Sequence, residues 1–164
     1  MMVDLRNLED QVDLDFVVAR RRARLCRLKR LLLRRTTRST LLSPEELREG
    51  VPPSGAKYRG RSTVEVSKIV GRVGKHKQFD MNFMPLSRAS AEKWKRIDRA
   101  LRIGQELPPV SLLERGGDYF VNDGNHRVSV ARFHGVEWID AEITGGKSVS
   151  TRPPRRVLKA MRVA

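Results

Sequence analysis

Tyr119-Phe120-Val121-Asn122-Asp123-Gly124-Asn125-His126-Arg127-Val128-Ser129-Val130-Ala131-Arg132 joins an apolar run to a polar loop centred on glycine, then to a second patterned run. Read as a buried strand delivering the chain to a helix, it places free backbone N–H groups and the positive end of a helix dipole at one spot, which makes an anion site. Gly124 permits the tight backbone, Arg127 offers a planar fork for two phosphate oxygens, and His126 adds a donor. The same letters carry a second reading. Asn-Asp-Gly-Asn is also ordinary turn chemistry, and Arg127 to Phe133 alternates polar and apolar side chains as a β-hairpin does.

Outward from this stretch the punctuation is regular. Downstream, a helix from His126 to His134 ends at Gly135, and Glu137 to Ile143 reads as a strand. Upstream, Val110 to Leu113 and Tyr119 to Val121 flank a turn at Gly116-Gly117. Before them, Ser90 is placed to cap a helix through Ile103, with Trp94, Ile97 and Leu101 on one face and Gly104 as its stop. Thr63 to Val66 alternates like a first strand, and Ser67 to Gly71 is expected to turn out of it into the loop Arg72 to Lys77. The order is strand, helix, hairpin, helix, strand, an α+β class.

The run DYFVNDGNHRVSVARFHGVEWIDAEI, residues 118–143, resembles the second conserved box of ParB/sulfiredoxin-like domains, where a Gly-X-His/Arg-Arg loop opens a helix. Val64 to Arg72 and Leu107 to Leu112 resemble that family's first two strands. The resemblance implies a small mixed-sheet ParB/sulfiredoxin-like core with a nucleoside di- or triphosphate cradled by Gly124, Asn125, His126 and Arg127. In members that transfer phosphate, Mg²⁺ accompanies the nucleotide, and Asp123 and Asp80 are the carboxylates to consider as its partners; Asp123 is also the one catalytic candidate. For Asp80 a surface or capping role is the competing reading.

Two departures from the family bear on function. Sulfiredoxin chemistry resembles a Gly-Cys-His-Arg loop with a nucleophilic thiolate, and that position is Asn125, whose amide cannot do thiolate chemistry. The 21 residues after Ile143 carry neither the Glu-Asn-X-X-Arg box nor the helix-turn-helix of partitioning ParB proteins. Thr144-Gly145-Gly146-Lys147-Ser148 imitates a Walker A end, but that pattern's first glycine would fall at Ala141, inside an expected strand.

Charge divides the chain. The formal net charge is +15, of which residues 1–63 hold +7, residues 64–143 hold +2 and residues 144–164 hold +6. A nearly neutral centre with cationic extensions assigns polyanion contact to the arms. From Asp4 to about Arg35 there is no Gly or Pro, and Leu5, Leu8, Val12, Phe16, Ala19, Ala23 and Cys26 recur at helical spacing. Acidic residues Glu9, Asp10, Asp13 and Asp15 precede ten Lys or Arg between Arg20 and Arg38, matching the helix macrodipole. The chain therefore reads as a basic amphipathic helical arm (1–38), a linker (39–62) with a short helix start at Ser43, a ParB/sulfiredoxin-like domain (63–143) and a basic tail (144–164). Lys75, His76 and Lys77 are further phosphate ligands or a solvated basic turn.

One cysteine, Cys26, excludes an internal disulfide and a zinc set, and fits a reducing cytoplasm. No apolar run approaches the ~20 residues of a membrane span. The expected function is a nucleotide-binding module with a regulatory or nucleic-acid-associated role, its arms contacting nucleic acid without sequence preference. One alternative is a Mg²⁺-dependent phosphotransferase, nucleotide hydrolase or nuclease on the same fold. The other is a scaffold with a vestigial loop that binds a protein partner or itself through the N-terminal helix.

Overall fold

In the computed structural model, which describes residues 5–32, 57–73 and 78–145, the glycine-free N-terminal stretch forms one helix, α1 (Leu5–Leu32). Strands β1 (Lys57–Glu65) and β2 (Ile69–Arg72) follow, separated by a 3₁₀ turn, then α2 (Ala91–Arg102), β3 (Val110–Arg115), β4 (Asp118–Asp123), α3 (Asn125–Phe133) and β5 (Trp138–Gly145). The strands make one mixed sheet in the order β1-β5-β3-β4-β2. β1 is antiparallel to β5 and β3 to β4, whereas β5 with β3 and β4 with β2 are parallel.

The element following Asp123 is a helix, so the hairpin reading of Arg127 to Phe133 does not hold. Its side chains show why. Val128 packs into the sheet core with Val110, Leu112 and Val121, while Val130, two residues on and across the helix, joins Phe16, Ala23 and Trp94 in a second cluster. Two apolar residues at this spacing serve opposite faces of a helix that is covered on both sides. α3 is thus a middle layer between the sheet and the pair α1 and α2.

Trp94 locks the helical layer. It is fully buried, stands 5.6 Å from the Phe16 ring and 5.4 Å from Phe133, and donates its indole N–H to the buried Ser129 hydroxyl at 2.9 Å. The polar end of the indole is satisfied where water cannot reach, and its aromatic body ties α1, α2 and α3 together.

Several boundaries differ from the sequence reading. β1 begins at Lys57, inside the stretch read as linker: the polar segment Lys57 to Ser62 finds its hydrogen bonds along β5, with a register shift at Gly60. Its exposed Lys57, Arg59 and Arg61 keep this edge charged. Ile69–Arg72, expected as turn and loop, is the short strand β2; two apolar residues before Gly71 are too few for a periodic signal, yet the edge of β4 supplies partners. Ser90 precedes α2 but makes no side-chain cap; Ser87 accepts the Ala89 N–H at 3.1 Å instead. β5 extends through Gly145 and contains Ala141, which pairs with Val110.

The largest difference concerns the N-terminal helix, which is docked rather than a free arm. Leu8, Val12, Phe16, Ala19 and Ala23 are all buried. Beside this seam, Arg99 holds Glu9 and lowers its pKa by hydrogen bonding, Lys95 meets Asp13 at 2.7 Å, and Arg102 pairs with Asp15. The acidic half of α1 therefore serves the basic face of α2. Ser43, Lys75 to Lys77 and the tail beyond Gly145 lie outside the described residues, and none of the described helices is long and apolar enough to cross a membrane.

If α1 is part of the fold, Phe16→Ala is expected to cost about 3–5 kcal/mol in urea unfolding. A change below about 1 kcal/mol, within the range of ordinary surface substitutions, would mean that α1 contributes little to the folded core.

Candidate functional site

The site is built where β4 ends. Asp123 closes the strand opposite Ser111 of β3, Gly124 turns at φ +102°, and α3 starts at Asn125. A left-handed turn suits glycine, and a Cβ here would come within 2.8 Å of the Val110 side chain and 3.1 Å of Arg127 Nε. The strand end and the helix start are in effect pressed against β3.

The first hydrogen bond within α3 runs from the Val128 N–H to the Gly124 carbonyl at 3.0 Å, and no side chain caps the helix. The amides of Asn125, His126 and Arg127 thus belong to the free N-terminal turn of a helix. Beside them, Asn125 Oδ1 and His126 Nε2 are enclosed and have no hydrogen-bond partner among the described residues. An enclosed polar atom without a partner is costly, which marks this spot as ready for one.

His126 stands edge-on to the Phe79 ring at 5.0 Å. Burial pushes its pKa below the ordinary value, Lys93 and Arg96 of α2 add in the same direction, and Asp123 opposes them. Both cations are exposed. They lie near enough for their charge to be felt at the imidazole, so the start of α3 is surrounded by positive potential from a neighbouring helix. The sequence reading did not include Lys93 and Arg96, because their helix is far from the loop in sequence and only α2–α3 packing brings them beside it.

Arg127 has another task than the one expected. One guanidinium nitrogen, Nη1, donates to the carbonyls of Pro108 at 2.5 Å and Pro109 at 2.6 Å, and Nη2 meets Asp123 Oδ2 at 2.7 Å. The side chain is largely buried. Its fork thus ties the end of β4 and the start of α3 to the segment entering β3, positioning the loop rather than offering two free donors.

The carboxylates considered for Mg²⁺ are also engaged. Asp123 is bridged to Arg127, and the buried Asp80 accepts the N–H groups of Asn82 at 2.9 Å and Met84 at 2.7 Å, shaping the turn between Asp80 and Pro85, with the charge of Arg132 acting on it. These duties do not fit a metal pair facing the helix start. Among the described residues, Asp15, Asp98 and His134 come close enough to share an ion, but Arg102 already lies against both carboxylates. A separate groove of about 910 Å³ opens at the other end of α3, lined by residues including Arg22, Asn82, Arg132 and Trp138. None of the predicted site residues lines it. Cys26 lies on that side too, its sulfur 3.7 Å from the Asn82 amide nitrogen.

No protein-family model and no curated protein matches the chain. Among solved structures, sulfiredoxin from Arabidopsis thaliana aligns with 52% of this chain and 85% of its own, at 22% identity and a TM-score of 0.37.

The role of Arg127 can be tested apart from any ligand. Arg127→Ala is expected to lower the free energy of unfolding by about 1.5–3 kcal/mol, and Arg127→Lys should not restore it, since one ammonium cannot span the three acceptors. A wild-type denaturation midpoint in Arg127→Ala would show that the guanidinium is not a clamp.

Proposed function

We propose that the protein binds a phosphate-bearing ligand, most simply a nucleoside di- or triphosphate, at the N-terminus of α3. The observation that carries this reading is the coincidence at one place of free helix amides, the unpartnered His126 Nε2 and the cations Lys93 and Arg96. A phosphate oxygen answers each of these: it accepts from amides and from a protonated imidazole, and its charge offsets that of the two side chains. Gly124 keeps the backbone free of a side chain where the chain passes β3, and Arg127 with Asp123 holds the loop in shape.

The role proposed is binding, in a regulatory or nucleic-acid-associated setting, rather than turnover. The support is the use already made of Asp123 and Asp80, which leaves phosphoryl transfer without an assigned base or metal ligand at this loop. Mg²⁺ is not required by this reading, because Lys93, Arg96 and the helix dipole supply the positive charge.

Calorimetric titration with ATP, CTP, GTP and ADP, with and without Mg²⁺, tests it. Saturable binding by at least one nucleotide is expected, weakened about tenfold or more, roughly 1.4 kcal/mol, in Lys93→Glu and Arg96→Glu while their unfolding midpoints stay unchanged. These exposed positions separate loss of ligand from loss of fold, which Arg127→Ala cannot do. Absence of binding by every nucleotide, or full affinity in both charge reversals, would remove the proposal.

A further inference from the structure

α1 has two apolar faces, and the domain uses one. On the face turned away from the buried residues, Leu14, Val18, Arg21, Leu25, Leu28 and Leu32 follow one another at spacings of four, three, four, three and four. This is the heptad spacing of a helix that pairs with another helix. Leu14 is 61% exposed, Leu25 47%, Leu28 53% and Leu32 75%. Val17, 60% exposed, widens the strip. Large apolar side chains in a continuous line mark an association surface, whereas single ones need no explanation.

We propose that this face pairs with α1 of a second copy of the chain, in antiparallel orientation. Charge selects both the occupant and its direction. Asp10 and Asp13 lie in the first half of the helix, and Arg21 and Arg24 in the second, all four exposed. Antiparallel pairing of two such helices brings the arginines of one copy alongside the aspartates of the other, at both ends of the contact. Parallel pairing would stack each arginine on its own counterpart. At 28 residues, α1 is about 42 Å long at 1.5 Å per residue, which provides three heptads of seam. Centred overlap sets Leu14 of one copy against Leu25 of the other. The pairing leaves the start of α3 untouched and does not depend on the ligand proposed there.

Sedimentation velocity of the full chain is expected to show a dimer, and the double substitution Leu25→Asp with Leu28→Asp should raise its dissociation constant about 100-fold or more with the helical circular dichroism retained. Orientation is read separately, in a Cys26→Ser background, by mixing Leu14→Cys and Leu25→Cys chains under mild oxidation. Disulfide formation between the two variants should outrun that of Leu25→Cys with itself. A wild-type chain that stays monomeric at all concentrations, a double variant that still dimerises fully, or preferential Leu25→Cys self-linkage would each overturn the proposal.

Discussion

The bonds of Arg127 to Pro108, Pro109 and Asp123 set the geometry on which the rest of the molecule depends. They tie the chain entering β3 to the chain leaving β4, just where Gly124 must turn through a left-handed conformation to start α3. From that point α3 runs between two apolar layers, with Val128 toward the sheet and Val130 toward Trp94. A change at the turn would alter both interfaces, because one short helix serves both.

The same constraint shapes the chemistry. A helix whose N-terminus is fixed by a buried guanidinium exposes its first amides in a constant arrangement, which costs less ordering when an anion binds. His126 and Asn125 are then held beside those amides, and α2, packed on α3, brings Lys93 and Arg96 near them. Positioning and ligand contact are divided: Arg127 works through the backbone, and the charges that face a ligand come from another element.

Much of this was legible in the sequence, and the rest failed for identifiable reasons. α1, α2, α3 and the β3–β4 hairpin each carry enough periodicity and enough glycine punctuation to be placed within a few residues. β2 does not, since four residues at a sheet edge are defined by their partner rather than their pattern. The polar start of β1 fails similarly: Lys57 to Ser62 reads as linker until β5 is beside it. Within the site, Gly124 and His126 stood out from local spacing, but Arg127 was read as a ligand because sequence shows a guanidinium's chemistry and not the carbonyls that occupy it. The charge split between the N-terminal stretch and the centre suggested a free arm; the acidic residues of α1 instead meet Lys95, Arg99 and Arg102 of α2.

The account rests on the start of α3 being an anion site, and NMR of the imidazole and backbone amides during titration with inorganic pyrophosphate tests that directly. The His126 pKa should begin below its ordinary value, as burial and the nearby cations dictate, and rise when pyrophosphate is present, with the amides of Asn125, His126 and Arg127 shifting together at saturation. A His126 titration curve unmoved by pyrophosphate, or shifts confined to the arginine-rich half of α1, would contradict the assignment of the site.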